Sequence, residues 1–459
     1  MRYILNKDYN LCGWRNMPYA LKSFSRMKVM PLTLKQLKLL FACSGKKELA
    51  VDAFDDESRV FFDMLLREEI IREALEGERR TLAYTEYQGI FKQDVQWSVT
   101  GRCNYNCRHC FQSAPDEVLG HPSLGQCLDI VHQLKECGVM RVALTGGEPL
   151  IRGDFWDIVD EIYRCGMSVS TIYSNGKLVT EEFMDQIEKR GIHPHFQISF
   201  DGVGSHDWMR NVPGAEKIAL DAIRLISNQG CSVGSAMCLC RENVSSIRQT
   251  VRTLAEAGCS GLKLQRCMPM GEWAGQKEHF LTYEETLQAY LDYLPLYKED
   301  GMPMNIQAEG FYSCSEKTGL VNLSDRKGDE ESLGNMPPCG IIKTSFYIGP
   351  NGAVTPCMSM CGSKIEAQFP NLSDMKLKDI LTDSNYTKLT GYSVKDVMDH
   401  NEKCADCKYR CQCCAGCRAF AVGAEGCDYL AVDPITCKIL TEGWYEKLEK
   451  VREEVFGVS

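Results

Sequence analysis

The spacing of apolar residues changes character twice along the chain. Up to about residue 90 it is mixed, with two short strand-like runs, Tyr3–Leu5 and Tyr19–Phe24, ahead of helical spacing that opens at Thr33. Thr33-Leu34-Lys35-Gln36 reads as a capping box, and Leu34, Leu37, Leu40 and Phe41 share one helical face. A second helix near Glu57–Arg67 is expected to bury Val60, Phe61, Met64 and Leu65. Strands with two or three amphipathic helices predict a small winged-helix-like domain over residues 1–90. From 91 to 310, strand and helix patterns alternate. Strands are expected at Val95–Thr100, Met140–Leu144, Ser168–Tyr173, His195–Phe200, Val233–Leu239 and Leu262–Gln265. Helices are expected at Ser123–Cys137, Phe155–Cys165, Glu181–Arg190, Ala215–Gln229 and Val244–Ala257. Six such units predict an α/β fold, a partial (β/α)6 TIM-like barrel with its chemistry at the carboxyl ends of the strands. Beyond 310 the alternation stops, and residues 311–459 form a cysteine-rich third domain.

Composition narrows the function. The 459 residues suffice for two or three domains, and a net charge of −10 with no basic, aromatic-laced stripe argues against nucleic acid. No stretch approaches the roughly 20 apolar residues of a membrane helix. The start, Met1 to Asp8, lacks the apolar core of a signal peptide, so no membrane partner and a cytoplasmic location are expected. In a reducing compartment 25 cysteines point to metal rather than disulfides. Cys127, Cys137, Cys165, Cys231, Cys238, Cys240, Cys259 and Cys267 fall singly on helix- or strand-like segments and read as small buried hydrophobes. Eight others crowd the stretch from Cys404 to Cys437.

Candidate chemistry follows the strands. Cys103, Cys107 and Cys110 form Cys-x3-Cys-x2-Cys just after the first core strand. Three thiolates so placed hold three irons of a 4Fe–4S cube and leave the fourth open, as a catalytic metal site requires. A zinc knuckle is the bland alternative. After the next strand comes Thr145-Gly146-Gly147-Glu148-Pro149, whose glycines allow close backbone approach and whose Glu148 suits a cationic amino group. Ser174-Asn175-Gly176 and Ser199-Phe200-Asp201-Gly202 set hydroxyl, amide and carboxylate groups beside glycine, suiting a ribose or carboxylate.

The Cys-x3-Cys-x2-Cys loop and the Gly-Gly-Glu segment together resemble the radical S-adenosylmethionine (radical SAM) enzymes. The resemblance implies that SAM chelates the open iron while Gly146, Gly147 and Glu148 hold its amino group. His109 fits the family's aromatic position before the third cysteine. Contacts to SAM from Ser174, Asn175, Ser199 and Asp201 are implied too, with backbone near Met268–Gly271 against adenine. The segment His206–Arg210 also looks like the family's, with no chemical role assigned.

The tail resembles the SPASM auxiliary-cluster domain: Cys339, Gly352-x4-Cys357, Cys404-x2-Cys407-x5-Cys413-x3-Cys417, then Cys437. The resemblance implies one auxiliary cluster on Cys339, Cys357 and Cys417 and a second on Cys404, Cys407, Cys413 and Cys437, making three 4Fe–4S clusters with the first loop. Cys314, followed by the polar run Asn322–Asn335, is the favoured fourth ligand of the first auxiliary cluster; Cys361 and an open iron are the alternatives. Cys411, Cys414 and Cys427 fall off the pattern. Met358 stands where sulfatase-maturing relatives carry a basic aspartate, which argues against that activity.

The resemblance implies an oxidoreductase that cleaves SAM to a 5′-deoxyadenosyl radical. Residues 1–90 are similar to the leader-recognition element of peptide maturases, so the expected substrate is a ribosomally made precursor peptide with a leader. The expected product carries a thioether or carbon–carbon cross-link, and the electron donor is flavodoxin- or ferredoxin-like. Side-chain oxidation of a protein and small-molecule dehydrogenation are alternatives, and a non-catalytic Fe–S binding protein a remoter one. The catalytic acid and base have no candidate.

Overall fold

Before residue 90 the chain makes seven short strands: β1 (Arg2–Leu5), β2 (Tyr9–Trp14), β3 (Met17–Ser23), β4 (Lys28–Pro31), β5 (Ser44–Glu48), β6 (Ile71–Glu73) and β7 (Tyr84–Glu86). They form two sheets, ordered β5-β1-β6 and β4-β3-β2-β7. Helix Leu34–Ala42 starts as the sequence indicates, with Thr33 and Gln36 bonded reciprocally in a capping box. Leu37 and Leu40 pack with Phe61, Phe62 and Leu65 of helix Asp56–Arg67 over Tyr3, Leu11 and Leu21. Leu34 and Val60 are not buried, at 47% and 70% exposure. Leu34 sits in the first turn, and Val60 lies across the helix from the Phe61–Phe62–Leu65 stripe that meets the sheet. This N-terminal unit rests on the rest of the chain through Trp14, which stacks on Tyr87 and donates to the Cys137 carbonyl at 2.8 Å.

The computed structural model describes residues 1–457 except 115–117, 316, 318, 323–327 and 425–426. Its central feature is one large sheet. The six expected strands are present as β8 (Asp94–Ser98), β9 (Arg141–Thr145), β10 (Ser168–Ser174), β11 (His195–Ser199), β12 (Val233–Leu239) and β13 (Gly261–Arg266), all parallel. Helices Leu124–Glu136, Phe155–Arg164, Glu181–Lys189, Ala215–Asn228 and Ile247–Glu256 cross between them. One face of the sheet buries Val142, Leu144, Ile172, Ile198 and Leu264 against Leu134, Ile162, Ile187, Ile223 and Leu254 of those helices. Each such side chain contributes about 1.5–3 kcal/mol. By strand alternation the other face carries Tyr173, Gln197, Ser199, Cys238, Lys263 and Gln265.

Further strands extend this sheet at both ends. β14 (Asn305–Ala308) adds a parallel strand after helix Tyr283–Glu299, and β15 (Tyr312–Ser315) and β16 (Gly319–Asn322) follow antiparallel. At the opposite end β17 (Ser345–Ile348) lies parallel to β8, with β18 (Val354–Thr355) beyond it. The order β16-β15-β14-β13-β12-β11-β10-β9-β8-β17-β18 is linear among the described residues, without a closing pair. The polar run Asn322–Asn335 falls partly outside the described residues. The remainder is short helices around the tail cysteines, and Arg418 is buried there with its guanidinium donating to the carbonyls of Ala415, Tyr429 and Ala431. No helix among the described residues is long and apolar enough to cross a membrane.

Candidate active site

The loop after β8 brings Cys103, Cys107 and Cys110 into one cluster with Tyr105 and Ala215. Hydrogen-bond donors converge on each sulfur: Tyr105 N–H on Cys103 at 3.4 Å, Ala114 N–H on Cys110 at 3.4 Å, and Arg210 Nη1 on Cys107 at 3.8 Å. Burial pushes the Cys103 thiol up to about 12, and the neighbouring Glu148, Cys107 and Cys110 add to it. Three thiolates packed together repel one another and call for a bound cation.

Gly146 and Gly147 earn their place by packing against this loop. A Cβ on Gly147 would stand 2.1 Å from the Arg102 carbonyl oxygen, and one on Gly146, at φ +157°, 2.5 Å from that of Thr100. In their absence the Gly147 and Glu148 N–H groups bond those same carbonyls at 2.8 Å. The Glu148 carboxylate is thereby held at the loop, fully buried. It accepts from Ser174 Oγ at 3.1 Å, Asn175 N–H at 2.7 Å and Leu150 N–H at 3.1 Å. Burial raises it to about 7 in spite of these bonds. Ser174 and Asn175 therefore orient Glu148, and Asn175 also donates to Asn104 in the loop at 2.7 Å.

Asp201, past β11, is fully buried in an ion pair with Arg210 at 2.7 Å, and Cys238 N–H donates to it at 3.0 Å. Burial opposes its charge, yet the Arg210 guanidinium beside it keeps its carboxyl below the usual value. His109 Nε2 lies 3.6 Å away. His206 stacks on Phe200 and accepts the Asp201 N–H at 2.9 Å through Nδ1, and burial drops its pKa to about 3, so it is neutral. Cys238 receives the Gln265 amide at 3.0 Å. A hydrogen bond from Cys267, then one from His109, lowers this thiol despite burial. Ser199 ends β11 on the same polar face.

The tail sorts its cysteines into two groups. Cys357 is raised to about 12 by burial, then by Cys417 and Cys339. Cys404, Cys407, Cys413 and Cys437 act on one another as a separate set. Between Cys413 and Cys417, Cys414, Ala415 and Gly416 take φ of 46°, 63° and 63°, a left-handed turn that sends the two thiols to different groups. Asp433 anchors the far side, accepting from Cys417 N–H at 2.8 Å and Thr436 Oγ1 at 2.6 Å. Cys314 stands elsewhere: it is buried on β15, with Tyr293, Tyr297 and Tyr312 as neighbours. Cys361 lies against Tyr347 and Glu366.

Family models match two stretches of the chain, the radical SAM superfamily at residues 97–254 and the SPASM iron–sulfur cluster-binding domain at residues 339–417. The chain carries a radical SAM domain followed by a SPASM domain. An AdoMet-dependent heme synthase of Nitratidesulfovibrio vulgaris is 26% identical over 362 residues, covering 74% of this chain and 91% of its own. The mycofactocin maturase MftC of Mycolicibacterium smegmatis is 26% identical over 334 residues, covering 71% and 78%. The crystal structure of Streptococcus suis SuiB bound to its precursor peptide SuiA shares the fold, with TM-score 0.67 at 15% identity over 95% of this chain and 99% of that one.

The two domains imply SAM and Fe–S clusters, and the residues present fit both. The radical SAM loop gathers three sulfurs with N–H donors aimed at them. Beside it stands a buried carboxylate whose nearby positive charge, Arg210, is already committed to Asp201. The sequence left Arg210 without a role and read Cys238 as a small buried hydrophobe, whereas its thiol is half-buried and accepts the Gln265 amide. A buried Asp201 demands a cation, and Arg210, nine residues on in the noted His206–Arg210 segment, was the available signal. Cys238 is one apolar-looking residue of a strand, and only pairing beside Gln265 reveals its setting.

Proposed function

We propose that this protein matures a ribosomally made precursor peptide, removing two hydrogens to leave a thioether or carbon–carbon cross-link. The observation that carries the reading is the likeness in fold to SuiB over 95% of the chain, which takes in the N-terminal unit as well as both cluster-binding domains. SuiB is described bound to a precursor peptide and, separately, to S-adenosylmethionine, and the MftC relative is named a maturase. Cys103, Cys107 and Cys110 would hold one 4Fe–4S cluster; Cys339, Cys357 and Cys417 a second; Cys404, Cys407, Cys413 and Cys437 a third. With SAM bound, reductive cleavage supplies a 5′-deoxyadenosyl radical that takes one hydrogen atom from the peptide. Glu148 binds the SAM amino group, held in line by Ser174 and Asn175. Arg210 neutralises Asp201 so that the buried carboxylate stays folded beneath the ligand. Ser199 and Asp201 line the ribose side. An auxiliary cluster held by the tail cysteines would supply an acceptor for the remaining electron, the proton would leave to solvent, and an external flavodoxin- or ferredoxin-like protein would supply electrons to the first cluster.

The leader joins the N-terminal unit as an added strand, for which β4, β5, β6 and β7 offer sheet edges among the described residues. A second reading, SAM-dependent modification of an iron tetrapyrrole, draws on relatives named AdoMet-dependent heme synthase and Fe-coproporphyrin III synthase, which match 74% and 77% of this chain. Anaerobic incubation of the cluster-loaded enzyme with SAM, a reductant and the peptide encoded beside its gene separates them. Loss of two mass units from the peptide is expected. An unchanged peptide, together with SAM-dependent conversion of an iron tetrapyrrole, would overturn the reading in favour of the second.

A further inference from the structure

Around the thiols of Cys339, Cys357 and Cys417 the SPASM domain places buried aromatic rings, and two of them, Tyr386 and Tyr429, carry hydroxyls with no hydrogen-bond partner among the described residues. Tyr429 is 2% exposed, its ring packed 6.4 Å from that of Phe369, and its hydroxyl has no hydrogen-bond partner among the described residues. The charged and thiol groups that act on it most strongly are Arg418, Cys357, Cys339 and Cys417. Arg418 cannot answer the hydroxyl. A guanidinium only donates; the Nη groups of Arg418 go to the carbonyls of Ala415, Tyr429 and Ala431, and its Nε has no bond to the hydroxyl. The Tyr386 hydroxyl nearby is equally unbonded and does not take the proton, and the other titratable neighbours are thiols. Buried hydroxyls are rarely left unbonded in folded proteins, so an orphan beside three thiols marks a group that belongs there.

We propose that the Tyr429 hydroxyl donates a hydrogen bond to a sulfur of the auxiliary cluster held by Cys339, Cys357 and Cys417, raising that cluster's reduction potential. The proposal rests on the ligand set assigned above. A donor aimed at cluster sulfur favours the reduced, more negative state, so the bond makes this cluster the better electron acceptor. Tyr429 acts through the cluster and never touches substrate. Neither Cys314 nor Cys361 is needed for this role.

The test is a redox titration followed by electron paramagnetic resonance, in enzyme whose Cys103, Cys107 and Cys110 are replaced by Ala so that only tail signals remain. Cys339→Ala first identifies the signal of this cluster. If it removes none, the ligand reading falls and the proposal with it. If it removes one, Tyr429→Phe is expected to shift that signal to more negative potential at unchanged iron content. An unmoved potential overturns the hydrogen bond and leaves the ligand set standing. Should Tyr429→Phe lose iron, the protein with Tyr429 intact, reduced in H2O and in D2O, decides: an exchangeable proton strongly coupled to this cluster is expected, and its absence refutes the bond.

Discussion

Glu148 is a carboxylate that the fold holds at a cost. Burial lifts it from the ordinary value to about 7, a shift worth about 3 kcal/mol against the ionised form. The sign follows from a folded pKa above the unfolded one. The protonated group's stabilisation is fully present below the unfolded value and is lost as pH rises through about 7. In the proposed site the ionised form binds SAM, so SAM affinity should climb with pH across the same window. Glu148→Gln is expected to melt higher than the parent above pH 7 and to bind SAM at least about tenfold more weakly, since a charge-assisted bond is lost. Calorimetric SAM binding by the cluster-loaded variant checks this, and an unchanged affinity would remove Glu148 from the amino-group site. At this scale the sequence was readable where residues cluster by spacing, as in Cys103–Cys110 or Gly146–Glu148. It was mute where a contact forms across strands, as between Cys238 and Gln265.

Elements announced themselves through their ends. The capping boxes at Thr33 and Ser123 begin the helices they predict, because both partners lie within one turn. The strands β14 to β18 escaped notice, being two to four residues long and stabilised by neighbours distant in sequence. The turn Cys414–Gly416 was equally invisible, since two of its left-handed residues are not glycine. That conformation costs roughly 1–2 kcal/mol for each of Cys414 and Ala415, which the packing around Asp433 offsets. A Cβ at Gly416 would stand 2.3 Å from Asp433 Oδ2. Gly416→Ala should therefore dislodge Asp433 from the Cys417 N–H and disturb both cysteine groups at once. Iron analysis of the purified variant is expected to show loss from both auxiliary centres with the radical SAM cluster retained; a full iron complement would show the turn to be tolerant.

For the whole molecule, the question is how the N-terminal unit speaks to the core. Trp14 is the joint, at 2% exposure between Tyr87, Phe91 and the Cys137 carbonyl. Trp14→Ala removes about 3–5 kcal/mol of packing at that seam. Faster hydrogen exchange over residues 1–90 and slower peptide conversion are expected, with SAM cleavage in the absence of peptide unchanged. Unaltered exchange would mean that other contacts hold the unit in place. The change in periodicity suggests three parts, but it does not reveal how they are welded. β17, from the SPASM side, is an interior strand of the sheet beside β8, and the buried Lys92 bonds the Ile342 carbonyl 250 residues ahead. That has a consequence for biosynthesis. While the ribosome is still adding those residues, the flank of β8 stays a bare edge, open to mispairing with other nascent chains. The strand that delivers the Cys103 loop is flanked on both sides only after translation has passed Ile348. Iron delivered earlier would meet three thiols on an unfinished scaffold, so cluster loading should fall after release, and cells that supply iron and sulfide late should yield more active enzyme than cells that supply them early.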